Sequence, residues 1–368
     1  MASETSVAEL TSALVRIDSR NPDLDPDGPG EGELATFVAG WLREAGLDVT
    51  VEEAAPGRPN VVAVARGSGG GRSLMLNAHM DTVGVAGMEE PFSGRIAEGH
   101  VYGRGAHDMK GSLATCMLAG ARALHLGLRG DVVVTADAEE EVGSVGTEAI
   151  ARGRRADAAI VTEPTDERLA VAHKGFWGFE IDVAGRAAHG SRPDLGVDAI
   201  ARMGPVLVRL GELSDRLLSG PGHPLLGTGS VHGSLVSGGQ EYSSYPASCR
   251  LVGERRTVPG ETEELVRAEI DALLGDVEGS CGLLLGRPPF AAEPESEIAA
   301  LVARHAGAPE VVGVPFWADS ALLQAAGIPT VLFGPRGEGL HSEVESVEID
   351  SLERCLAVYV AVAAELCA

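Results

Sequence analysis

Apolar residues recur at spacings of three and four over residues 6–17 (SVAELTSALVRI) and 32–47 (GELATFVAGWLREAGL), the period of amphipathic helices. The stretch between them, DSRNPDLDPDGPGEG, is rich in turn-forming residues and reads as a loop. Short apolar runs follow at 49–53, 60–67, 73–81, 131–137 and 158–165, each bounded by polar or glycine-rich sequence, and these read as strands. A long helical pattern starts near Met109 and another covers 143–153, so strand, loop and helix repeat along the chain. That order predicts an α/β sheet with helices on its faces.

From about residue 177 the pattern changes. FWGFEIDVAGRAAHG and GSLVSGGQEYSSYPASCRLVGERRTV alternate like half-exposed strands, while 194–218 and 261–275 keep a helical period. The chain then returns to its first pattern, with IPTVLFG as a strand, a glycine-rich loop to His341 and a final helix from Ile349. The expected organisation is a discontinuous main domain, 1–176 with 289–368, interrupted by a smaller α+β domain at 177–288.

Composition narrows the function. The 368 residues suffice for two domains, and 44% apolar with 23% charged residues is ordinary for a soluble enzyme. No apolar stretch is long enough to span a bilayer, and MASETSVAEL resembles no secretory signal, so a cytoplasmic protein is expected. A net charge of −25 leaves no basic stripe for nucleic acid. Five scattered cysteines without CxxC spacing argue against a disulfide framework and against a thiolate metal site.

Chemistry-bearing side chains collect where strands end: His79 and Asp81, Asp108, Glu140 and Glu141, Glu163, and His341. In an open α/β sheet the loops beyond the strand C-termini meet at one crevice. Two histidines and several carboxylates there have the composition of a nitrogen/oxygen metal site. One zinc needs only three or four of them; the surplus suggests two ions with a bridging carboxylate. The run Glu139–Glu140–Glu141 then makes sense as a ligand and a base side by side, since a dication turns like-charged neighbours into favourable ones. The glycine runs lack the GxGxxG and GKS spacings of phosphate loops, and no G-x-S-x-G elbow follows a strand.

The segments AHMDTV, GRGAHDMKG, EEEVGS, VTEP, GRAAHGSRPDLGVDAI, ERRTVPGE and GPRGEGLHSEVESV, in this order from about residue 75 to the end, resemble the co-catalytic metallopeptidase family. That family includes acetylornithine deacetylase, succinyl-diaminopimelate desuccinylase, aminoacylase and carboxypeptidase G. The resemblance implies a mixed-sheet, zinc-peptidase-like catalytic domain with helices on both faces, and an inserted lid and dimerisation domain. It implies that His79, Asp108 and Glu163 bind one divalent metal, and that Asp108, Glu141 and His341 bind the other. Zinc is the expected metal; cobalt and manganese also suit such a shell. Asp81 would orient His79, and Glu140 would be the general base. A rival register makes Glu139 the base and Glu140 the ligand.

The resemblance further implies that His189 reaches the partner subunit's active site to stabilise an oxyanion, and that Arg256 grips a substrate carboxylate. Two positions depart from the family pattern: Ser243 stands where Asn is frequent, beside the substrate, and His107 where a small or neutral residue is usual. The implied activity is hydrolysis of the amide of a small N-acyl amino acid by a homodimer. A dipeptidase or glutamate carboxypeptidase, an N-carbamoyl amide hydrolase and a non-catalytic metal-stabilised binding protein are the alternatives.

Overall fold

The computed structural model describes residues 5–293 and 295–368. The chain up to Val171, with Ala292–Val312 and Ala318–Ala368, forms one unit; Ala172–Ala291 with Gly313–Trp317 forms another. From the N-terminus come α1 (Val7–Val15), α2 (Gly32–Glu44), β1 (Asp48–Ala55), β2 (Arg58–Ala65) and β3 (Leu74–His79). Two short strands, β4 (Arg95–Ala97) and β5 (His100–Tyr102), precede a wide turn at Ala106–Lys110, then α3 (Gly111–Ala123), β6 (Val132–Asp137), α4 (Val145–Gly153), β7 (Ala158–Val161) and β8 (Leu169–His173). There follow β9 (Gly175–Ala184), α5 (Ala199–Leu218), β10 (Ser230–Gly238), β11 (Ser248–Thr257), α6 (Glu263–Leu274), β12 (Gly279–Arg287) and β13 (Phe290–Ala291). The chain closes with α7 (Glu297–His305), β14 (Val311–Val314), α8 (Ser320–Ala325), β15 (Thr330–Leu332), β16 (Gly337–Glu338), β17 (Ser346–Glu348) and α9 (Ile349–Leu366).

In the first unit the central strands β6, β3, β7 and β15 run parallel. Antiparallel β2 and β1 flank them on one side and β8 on the other, so the sheet is mixed. Their apolar runs are continuous because both faces are covered. Val61, Ala63, Leu74, Leu76, Val132 and Val134 share one core with α1, α2, α3 and α9. The alternate positions Val62, Met75, Val133 and Ala159 are buried too, as the two-residue period of a strand requires of the opposite face. α3 lies close on β6: a Cβ on Gly120 would stand 2.7 Å from Val134 Cγ2. α1 starts at a capping box, with the Ser6 hydroxyl accepting from the Glu9 amide and the Glu9 carboxylate accepting from the Ser6 amide. On α9, the Tyr359 hydroxyl donates to the Phe333 carbonyl at 2.6 Å inside the core.

A second, small sheet in this unit has the order β16-β17-β5-β4. Its strands are too short to carry a readable alternation, yet β17 pairs with β5 so that Ser346 lies opposite Tyr102. This brings the loop before β17 against the turn after β5, although they are far apart in sequence.

The second unit is a four-stranded antiparallel sheet, β10-β11-β9-β12. α5 and α6 pack on one face, with Phe179, Ile181, Val183, Leu251, Met203, Val206 and Ile270 in their shared core. The cysteines are free thiols, all buried except the half-buried Cys281. Among the described residues no helix is long and apolar enough to cross a membrane.

Candidate metal centre

Because β6, β3 and β7 are parallel neighbours in register, their C-terminal ends lie together, with His79 opposite Asp137. His79 is the last residue of β3, Glu139–Glu141 form the turn after β6, and Glu163 follows β7. The turn before α3 contributes Asp108, whose peptide bond to Met109 is cis. The loop between β16 and β17 contributes His341.

Asp108 lies between the two imidazoles. Its Oδ1 is 3.1 Å from His79 Nε2 and its Oδ2 is 3.3 Å from His341 Nε2. His341 Nε2 is also 3.3 Å from Glu141 Oε2, while His79 Nε2 is 3.9 Å from Glu163 and 4.0 Å from Glu140. His79, Glu140 and Glu163 each place a donor atom within 4.8 Å of the others, and so do His79, Asp108 and Glu141. Glu139 points elsewhere: its Oε2 accepts from the Val145 amide at the start of α4, and its own amide donates to Glu31.

Burial raises the pKa of Glu140 and Glu163 well above the carboxylate range, with Glu163 adding its charge at Glu140; burial and then Asp108 raise Glu141. Burial opposes charge on His79, but Asp108 and Asp81 overcome it and hold the imidazole well above its usual value. Asp108 and Glu141 push His341 up to about 10. Burial works against the Asp108 charge too, yet the two imidazoles hold its pKa below the usual range. Among the described residues the cationic partners of Glu140, Glu141 and Glu163 are these two imidazoles alone. Buried and half-buried carboxylates in excess of cationic groups, with nitrogen donors between them, fit divalent ions of the zinc class.

Asp81 does more than orient a histidine. His79 Nδ1 donates to the Asp81 carbonyl at 3.0 Å, which leaves Nε2 facing the centre; the Asp81 carboxylate is at 3.5 Å. The closer partners of that carboxylate are the amides of Glu140 and Glu141, at 3.0 and 3.2 Å, and Asn21 Nδ2 at 2.7 Å. Asn21 in turn accepts from Arg58 at 2.9 Å, and Arg58 pairs with the fully buried Glu31. Asp137 ends β6, and the buried Asp319 immediately precedes α8. Asn77 donates to the first at 2.7 Å and Thr147 to the second at 2.8 Å. Burial and then the Asp319 charge raise Asp137 well above the carboxylate range.

Asn21, Glu31, Arg58 and Asp319 have no local signal in the sequence, and Glu345, within GPRGEGLHSEVESV, carries none that points to its partners. Asn21 and Glu31 lie at the edges of a segment that reads as a turn, and Arg58 opens a strand. His107 is buried against Gly337, with Nε2 3.3 Å from the Pro335 carbonyl oxygen.

In the second unit, His189 and Ser243 sit at one end of the sheet and Arg256 at the other. The Gly190 amide donates to the Ser243 carbonyl at 2.7 Å, and His189 bridges to Ser244. His189 is exposed, with Nδ1 2.8 Å from the Ser191 hydroxyl, and the Ser243 hydroxyl donates to Glu241. Arg256 lies opposite Phe176 in β9, whereas Ser248 at the other end lies opposite Ala184. Eight residue steps along the strand separate these pairs, roughly 26 Å at about 3.3 Å per residue. Arg256 Nε donates to Glu254 at 2.7 Å, and its guanidinium is 5.5 Å from the Phe176 ring centre. Arg255 beside it is fully buried in ion pairs with Glu261 and Glu269.

The chain is 31% identical over 362 residues to acetylornithine deacetylase of Myxococcus xanthus, covering 91% of this chain and 92% of the relative. It is 29% identical over 366 residues to N-formyl-4-amino-5-aminomethyl-2-methylpyrimidine deformylase of Bacillus subtilis, covering 87% and 85%. Among solved structures, an M20-family metallo-carboxypeptidase from Sulfolobus solfataricus superposes with a TM-score of 0.80, covering 98% of this chain and 99% of that one at 18% identity; this likeness is one of fold. The family model described as peptidase family M20/M25/M40 matches residues 75–365, most of the chain and every loop of the metal centre. The chain therefore belongs to peptidase family M20/M25/M40 and is a hydrolase of amide bonds.

Proposed function

We propose that the chain is a metal-dependent deacylase that cleaves the amide bond of a small N-acyl amino acid. In this reading His79, Asp108 and Glu163 hold one divalent ion, and Asp108, Glu141 and His341 hold a second. The observation that carries it is the placement of Asp108, with each carboxylate oxygen facing the Nε2 of a different imidazole at 3.1 and 3.3 Å. Zinc is the metal we expect from this nitrogen and carboxylate donor set, with cobalt or manganese as substitutes.

Divalent ions, when bound, polarise an amide carbonyl and acidify water. The chain supplies the rest. Glu140 is half-buried, carries no structural hydrogen bond on its carboxylate among those described, and stands 4.0 Å from His79. It would take the proton from the attacking water and deliver it to the leaving nitrogen. Glu139, engaged at the start of α4, is unsuited to that role. His189 from a neighbouring subunit would donate to the oxyanion. Arg256 would grip the substrate carboxylate, since only its Nε is engaged by Glu254.

The two relatives above are named as a deacetylase and a deformylase, which favours removal of an acyl group over the dipeptidase reading. Turnover of N-acetyl, N-succinyl, N-formyl and N-carbamoyl amino acids, beside dipeptides, tests this in the presence of Zn²⁺ or Co²⁺. Hydrolysis of the acyl compounds and not of dipeptides is expected; the reverse preference would replace the deacylase by a peptidase.

The role of His189 requires a dimer. β10 is the edge of its sheet and exposes Leu235 and Val236, and α5 exposes Ile200, Leu207, Val208 and Leu218. An apolar edge strand beside an apolar helix face invites a second copy. His189→Ala and Glu140→Ala proteins should each be inactive alone. Dissociated and reassociated at equal amounts, they should regain about a quarter of wild-type activity, because half the dimers then contain one complete site. No recovery by mixing would remove His189 from the partner's site.

A further inference from the structure

We propose that Glu345 is a positioning residue for the metal centre: its buried carboxylate fixes the turn that carries Asp108 to the loop that carries His341. The inference rests on the ligand assignment above and concerns a residue that touches neither substrate nor metal.

Glu345 is 1% exposed and immediately precedes β17. Its Oε1 accepts from the amides of His107 and Asp108, at 2.9 and 3.1 Å. Its Oε2 accepts from the Gly105 amide at 3.1 Å and from Arg104 Nη1 at 2.6 Å. Four donors from one turn thus converge on a single carboxylate, including the amide of the residue that lies between the two histidines. The main chain repeats the link, with the Gly103 amide donating to the Glu345 carbonyl at 3.1 Å. Arg104 closes the arrangement from the other side, with Nη2 donating to the Ser342 carbonyl at 3.0 Å and Nε to the Gly84 carbonyl at 3.0 Å. Ser342 follows His341. Glu345 and Arg104 together therefore tie both sides of the Asp108–His341 contact to each other.

A carboxylate suits this place because it only accepts, and all four partners only donate. A glutamine of the same shape would offer one oxygen and would turn an NH₂ group toward N–H donors. The turn would then reorganise, and Asp108 with it. Outer-shell partners of this kind typically change metal affinity by about 10–100-fold.

The test compares Glu345→Gln with wild type and with Tyr359→Phe, a variant that removes a buried hydrogen bond in the core away from the centre. Chelator-treated proteins are titrated with Co²⁺ by calorimetry, and the visible absorption of the bound ion is recorded. Glu345→Gln is expected to bind Co²⁺ about 10–100-fold more weakly and to shift the cobalt absorption bands. Tyr359→Phe is expected to lose thermal stability while keeping the wild-type affinity and spectrum. Arg104→Lys keeps the charge and loses the fork, and should move affinity and spectrum in the same direction by less; it carries the comparison if Glu345→Gln does not fold. Wild-type affinity and spectrum in Glu345→Gln, or in Arg104→Lys where only that variant folds, would overturn the positioning role and leave the ligand assignment standing. A wild-type chain that takes up no Co²⁺ would overturn both.

Discussion

Replacing Glu140 by alanine lowers kcat by about 100- to 10,000-fold, the range associated with loss of a positioned general base, while the chain still holds two metal ions. The expectation follows from a division of labour within one turn. The Glu139 carboxylate is committed to the Val145 amide, and Glu141 stands 3.3 Å from His341. Glu140 lies near His79 and Glu163, and its backbone is held through the Asp81 carboxylate. Removing its side chain therefore deletes a proton acceptor without releasing the turn. Metal analysis beside steady-state kinetics checks this. If the variant keeps more than a tenth of wild-type turnover, Glu140 is not the base; if it loses an ion, Glu140 is a ligand and the rival assignment within the triplet returns.

Asp108→Ala should remove both ions, where Glu163→Ala removes one. The side chain of Asp108 is the only group within 3.5 Å of both imidazoles among the ion pairs described, so no neighbour can take over its position. Its loss also leaves the two histidines facing each other with fewer compensating charges. The expected drop in metal affinity exceeds the roughly 100-fold upper end for outer-shell partners, and turnover falls below detection. Elemental analysis of the two variants after equilibration with the same buffered Zn²⁺ separates the outcomes. One ion retained by Asp108→Ala would show that this carboxylate serves a single ion.

Much of this architecture is legible in the sequence because the central strands are buried on both faces. LMLNAH, VVVTAD and AAIV stand out as apolar runs, and the polar residues that stop them are those that gather at the centre. The parts that remain hidden depend on pairing over long distances. Glu345 meets the Asp108 amide across 237 residues, through a sheet whose strands are two or three residues long. Strands that short carry no period, so nothing local marks the residue before β17 as a partner of the turn after β5. The segment 18–31 is hidden differently: its composition reads as a turn, and it is one, but Asn21 and Glu31 turn inward to meet Asp81 and Arg58. Composition describes the backbone of such a loop and is silent about which of its polar groups become buried.

The turn at 139–141 also bears on insertions and deletions. Glu139 adopts a φ of 67°, in the left-handed region. Its amide, its carbonyl and its carboxylate are each engaged, by Glu31, Ser144 and Val145. That backbone fixes the reading frame of the triplet. A chain that lost any one of the three codons would still spell two adjacent glutamates after β6, but the first would inherit the strained structural post and the second the place beside His79. The third position, facing His341, would fall to Val142. Three identical letters here are three different instructions, and the phase in which they are read matters more than their number.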